Sequence, residues 1–166
     1  MLGLDYNMIW LPVIKVIIAI FLGGLIGLER ELAAKPAGLR THMLVAGASA
    51  LLVILGDVMI NQYADTALTG ATRADPIRII ESIVTGISFL GAGTIIFRNR
   101  KESVEGLTTA ASILFAAGIG ITVALHRYIL ASILTIVVIV ILFWLGYVER
   151  FIRKYRRPFH EERTDE

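Results

Sequence analysis

Five stretches of almost unbroken apolar residues, at 12–28, 43–60, 77–97, 107–125 and 128–148, are separated by short polar segments. A helix crossing the hydrocarbon core of a bilayer needs about 20 mainly apolar residues, and roughly 17 to 25 are tolerated. The pattern therefore predicts an all-α integral membrane protein of five transmembrane helices. Charges interrupt only three of the stretches: Lys15 in the first, Asp57 in the second, Arg78 and Glu81 in the third. The fourth is the weakest by hydropathy, being rich in Thr, Ala, Ser and Gly. The fifth has no charge, and Tyr and Trp lie near its ends, where interfacial anchors belong.

Basic residues fall unevenly around these spans. Arg30, Lys35 and Arg40 lie between the first and second, and Arg98, Arg100 and Lys101 between the third and fourth. Arg150, Arg153, Lys154, Arg156, Arg157 and Arg163 follow the fifth. Alternating spans put these twelve on one side, leaving Lys15, Arg73, Arg78 and Arg127 on the other. Because basic loops are retained in the cytoplasm, the N-terminus is expected outside and the C-terminus inside. Residues 1–148 then form a transmembrane domain and 149–166 a basic cytoplasmic tail. That tail also interleaves aromatic residues, so it acts as a stop-transfer anchor or lies on the anionic leaflet.

Composition sharpens the exclusions. Apolar residues make up 56% of the 166 and charged residues 18%, an apolar share that would leave large sticky patches on a soluble domain. No cysteine is present, which removes disulfides, thiolate metal sites and cysteine nucleophiles. The opening segment carries Asp5 and no basic residue before its apolar run. A retained helix is expected there, not a cleaved signal peptide. There is no HExxH, no Walker loop and no catalytic carboxylate pair with a nucleophile, so an enzyme is not expected.

The chain also repeats itself. A shift of 68 residues aligns Phe21-Leu22-Gly23 with Phe89-Leu90-Gly91, Arg30 with Arg98, Gly38-Leu39 with Gly106-Leu107, and Thr41 with Thr109. Each unit would be a helix, a basic loop and a returning helix, giving a parallel repeat of spans 1–2 and 3–4 plus a fifth helix. Such repeats are related by an axis along the membrane normal, and transporters often place sites between them.

Small residues are dense at Gly23, Gly27, Gly86, Gly91, Gly93 and Gly106. In lipid, small residues let helices approach closely. A sharper alternative is a broken third helix at Gly91-Ala92-Gly93 that offers carbonyls to an ion. Asp75-Pro76 reads as an N-cap followed by Pro in the first helical position. Asp75, Arg78 and Glu81 share a face, and Glu81 is five residues into the span, about 8 Å by helical rise. An ionisable residue at that depth is costly without a partner, so a Lys15–Glu81 or Arg78–Glu81 pair is expected, with Asp57 near it. Such a cluster could fix packing, or hold a hard cation such as Mg²⁺ through its waters. On the cytoplasmic side, Glu29, Arg30 and Glu31 close the first span, while Arg40, Thr41 and His42 open the second. A helix N-terminus there could bind an anion, although snorkelling and capping also account for these residues.

Three blocks carry a family resemblance. GLIGLERELAAKPAGLRTHMLVAGASALL, DPIRIIESIVTGISFLGAGTIIF and EGLTTAASILFAAGIG resemble, in order and spacing, the three motif blocks of the MgtC/SapB/YhiD family. The resemblance implies a bacterial inner-membrane protein of Mg²⁺ and acid-stress homeostasis, virulence-related in pathogens. It also implies the partner class of another membrane complex such as the ATP synthase. Motif matching carries over Glu29, Arg30, Arg40, Thr41, Asp75, Arg78, Gly86, Gly91, Gly93, Gly106, Thr108 and Thr109, without assigning each a role. Leu114 stands where the family usually has Trp, and Ser88 where it has Gly. Family members with a C-terminal soluble domain have far more chain after the last helix, so a function that needs that domain is in doubt here.

Two functions compete. One is a membrane regulator that binds a partner; the other is a small Mg²⁺ or proton transporter or channel built around Glu81 and the Gly-rich third helix. The expected partners are the lipid bilayer, a second copy of the chain and another membrane complex, and not nucleic acid. No cofactor is expected apart from a role for Mg²⁺.

Overall fold

A computed structural model describes residues 6–64, 75–96 and 103–155. They form five helices: α1 (Tyr6–Leu32), α2 (Leu39–Ala64), α3 (Pro76–Ile96), α4 (Ser103–Ala124) and α5 (Tyr128–Tyr155). All five are long and apolar enough to cross a membrane. The least apolar window belongs to α3 rather than α4, though the two are close. Arg98 and residues 156–166 lie outside the described residues, as do Arg73, Arg100 and Lys101. The helical backbone of α5 continues through residue 155, so the first part of the basic tail extends the fifth helix instead of beginning a separate segment.

The helices end where their sequences allow. α1 closes in a turn where Ala34 N donates to Glu31 O and Lys35 N to Arg30 O, with Ala34 in the left-handed region at φ 53°. Pro36 then follows and cannot continue a helix. The end of α4 repeats the arrangement with His126 N to Val123 O, Arg127 N to Thr122 O, and His126 at φ 60°. At the start of α3, Asp75 accepts from Ile77 N at 2.9 Å and Pro76 takes the first helical position, the cap its sequence predicts.

α2 and α4 form a central wall. One core lies between that wall and α1 with α5, and contains Leu22, Ile26, Ile54, Ile119, Val123 and Val138. A second lies between the wall and α3, around Val45, Ala46, Ile83, Ile113 and Ala116. Among the described residues α3 touches neither α1 nor α5, whereas α4 touches every other helix. Its Thr, Ala, Ser and Gly content, which weakens it as a span by hydropathy, is what lets four neighbours close around it.

Glycine sets the closest approaches. A Cβ at Gly23 would stand 2.6 Å from His42 O, and one at Gly27 2.7 Å from Leu39 Cα. A Cβ at Gly120 would overlap the Ala46 carbonyl, and one at Gly56 would overlap Ile79. Positions related by the 68-residue shift meet in like manner. Gly23 faces His42, while Gly91 faces Ala110, whose Cβ would be 3.3 Å away. α3 runs unbroken from Pro76 to Ile96. The alternative of a break at Gly91-Ala92-Gly93 is therefore not seen; Gly91 is a packing contact against α4, and Gly93 opens onto empty space.

Candidate functional site

The outer cluster does not assemble as expected. Lys15 is buried in α1, and its Nζ donates to the Ala124 carbonyl at 3.1 Å, across to the C-terminus of α4. The last four carbonyls of a helix lack intrahelical donors. Here Leu125 N serves Ile121, Arg127 N serves Thr122, and His126 N serves Val123. Lys15 supplies the fourth, at the end where the helix dipole is negative. Asp57, exposed on α2, is near enough for charge attraction to Lys15 but forms no ion pair with it.

Glu81 takes no part in this. Among the described residues neither Lys15–Glu81 nor Arg78–Glu81 pairs. Lys15 is committed to α4, α1 and α3 do not touch, and both Arg78 and Glu81 point outward from α3. The hydroxyls beside them are tied to their own helix, with Ser82 Oγ donating to Arg78 O and Thr85 Oγ1 to Glu81 O, both at 2.8 Å.

A second polar group lies near the α1–α2 turn. Glu29 and Arg30, neighbours in sequence, form a two-pronged pair, Nε to Oε2 at 2.5 Å and Nη2 to Oε1 at 2.8 Å. The Arg30 side chain is 4% exposed and that of Glu29 16%. Fixed planar pairing of this kind lets a guanidinium be buried. Glu31 accepts from Leu39 N at 3.1 Å. The anion at the α2 N-terminus is thus the chain's own carboxylate, and Arg40 remains exposed beside it. Gly38 has to be glycine for this, since a Cβ there would overlap Glu31 Oε2. Thr41 is half-buried and Thr108 exposed, while Thr109 is fully buried.

His42 is the centre of this end. It is fully buried; Nδ1 lies 2.9 Å from Gly38 O, and Nε2 lies 3.0 Å from Ser112 Oγ on α4. Ser112 Oγ also lies 2.8 Å from Thr109 O. Because a carbonyl only accepts, Nδ1 carries a proton. A neutral ring then accepts the serine proton on Nε2. A charged ring donates to the serine, whose hydroxyl turns to Thr109. Either protonation state is satisfied by rotating one hydroxyl.

Sequence reasoning named neither Ser112 nor the capping roles of Glu31 and Gly38. Thr109 and Ser112 stand three apart on the face of α4 that meets His42 and Ser49, a polar stripe inside an apolar span. Among the described residues no three His, Asp or Glu side chains gather at a metal-sized site.

Comparison with known proteins gives a consistent family. The MgtC family profile matches residues 16–151. The chain is similar to the putative magnesium transporter YhiD of Escherichia coli K12, 39% identical over 130 residues, covering 76% of this chain and 58% of that protein. It is similar to SapB of Bacillus subtilis 168, 38% identical over 127 residues, covering 75% of this chain and 53% of SapB. With MgtC of Salmonella typhimurium 14028s the identity is 34% over 137 residues, covering 82% and 53% of the two chains. The chain thus matches little more than half the length of these relatives. No solved structure matches it.

Proposed function

From the premise that this chain belongs to the MgtC family, we propose that it is a regulator in the bacterial inner membrane. It serves Mg²⁺ and acid-stress homeostasis by binding another membrane complex and performs no catalysis. Its N-terminus lies outside, and its basic loops lie in the cytoplasm.

One observation carries this reading. Among the described residues, the buried ionisable side chains Lys15, Arg30 and His42 are each committed to a bond between or within helices. Lys15 closes α4, His42 joins α2 to α4 through Ser112, and Arg30 is held by Glu29. A permeation path needs polar groups free to exchange partners with the moving ion. Here they hold the bundle shut, and the chain acts through its outer surface.

A second reading draws on the E. coli relative, named as a putative magnesium transporter. Flux in proteoliposomes separates the two. The regulator reading expects Mg²⁺ and proton flux no greater than in protein-free vesicles, from protein that still melts cooperatively. Flux that disappears in Glu81→Gln overturns it in favour of transport.

A further inference from the structure

The helix with the least covered surface carries both signs of charge on its outer face. Only 11% of the α3 span is buried, against 24% to 50% of the others. Its inner stripe of Ile83, Ile87 and Gly91 meets the α2–α4 wall. The opposite stripe presents Arg78, Glu81, Ser82, Thr85, Phe89 and Gly93 at helical spacing. Phe89 is 82% exposed, and nothing lies within 4 Å of a Cβ at Gly93. Ser82 and Thr85 spend their protons on their own helix. That leaves a guanidinium and a carboxylate, neither partnered among the described residues, about one turn apart on a face open to lipid. The open faces of α1 and α5 are instead plainly apolar, with Ile17 and Phe21 on one and Ile129, Ile133 and Ile136 on the other.

We propose that the outer face of α3 is where two copies of this chain meet, related by a two-fold axis along the membrane normal. A two-fold contact uses the same patch on both partners, so the patch must complement itself. A face with one positive and one negative group a turn apart does so. With the two α3 helices parallel, Arg78 of each copy lies within reach of the partner's Glu81, and two ion pairs form together. Charges that would be costly in lipid thereby satisfy each other. Gly93 lets the backbones approach deeper in the span. Gly23 and Gly27 on α1 and Gly120 on α4 offer no rival contact, because α2 already covers them. The contact does not depend on whether the chain regulates or transports.

The absence of cysteine makes the test direct. Single cysteines are placed along α3 in native membranes and oxidised. Crosslinks of dimer mass are expected at Thr85→Cys and Phe89→Cys, and none at Ile83→Cys, Ile87→Cys or Ile133→Cys on α5. The fold does not depend on the lipid-side positions, so these variants should remain folded. In the Phe89→Cys background, Arg78→Glu or Glu81→Arg alone should cut the yield at least roughly tenfold, since either reversal removes both ion pairs of the symmetric contact. The two reversals together should restore it. Crosslinks without helical period, a peak on α5, a crosslinked mass other than the dimer, or no restoration by the double reversal would each overturn the proposal.

Discussion

A lysine ammonium inside a membrane span usually marks a transport or relay site, but Lys15 serves the backbone. Its bond to Ala124 O completes the set of carbonyls at the end of α4, and an acceptor left bare in an apolar setting costs about 1–3 kcal/mol. Lys15→Met should therefore lower the stability of the detergent-solubilised protein by roughly that amount, read from its thermal midpoint; an unchanged midpoint would mean that Lys15 does not cap α4. Ser112→Ala should cost a similar amount by leaving His42 Nε2 without its partner. Ala34 carries strain of the opposite sense, since a side chain in the left-handed region costs roughly 1–2 kcal/mol. Ala34→Gly removes that strain while adding chain entropy to the unfolded state. A small rise in thermal midpoint is expected, and a fall would count against the observed turn.

At the scale of elements, the number and approximate extent of the helices were readable from sequence because apolar run length is a property of each segment alone. Which helix meets which depends on small residues from two segments at once. Gly23 and Gly27 announce a close approach but not its target. Gly120, whose bare backbone lets α2 and α4 close, ends the third motif block, but nothing in that block names its partner. The outer cluster was misread for a related reason. The repeat put Lys15 and Glu81 at similar depth, but depth says nothing of azimuth, and the α2–α4 wall separates their helices. Asp75 was legible because a cap acts within its own turn. The packing makes a paired prediction. Gly120→Ala must push α4 off the Ala46 carbonyl and should destabilise by a few kcal/mol, the scale of overpacking a tight core. Gly118→Ala, two residues away with nothing within 4 Å, should instead stabilise by about 0.5–1 kcal/mol through helix propensity. Equal effects at the two sites would mean that α4 is not the helix closed upon by its neighbours.

For the whole molecule, direction in the membrane decides which polar group faces which compartment. The buried Glu29–Arg30 pair, the Glu31 cap and His42 lie at the end shared by the α1–α2 turn, while Asp57 and Asp75 lie at the opposite end. Twelve of the sixteen basic residues fall with the first group when the spans alternate. Translocating that many positive charges against the membrane potential is strongly unfavourable. In the proposed orientation His42 lies within about one turn of the cytoplasm and the Arg78–Glu81 face near the outer surface. The buried imidazole then lies toward the inner end of the bundle and the proposed α3 contact toward the outer end. Cysteine labelling can test this, again without background. Asn61→Cys should react with a membrane-impermeant maleimide on intact spheroplasts, and Arg40→Cys only after the membrane is opened. Both positions are exposed at the two ends of α2, so both should label in detergent, and a failure confined to intact spheroplasts would reflect sidedness. Reversed labelling would turn the molecule over. The regulator reading would then need a partner on the other face.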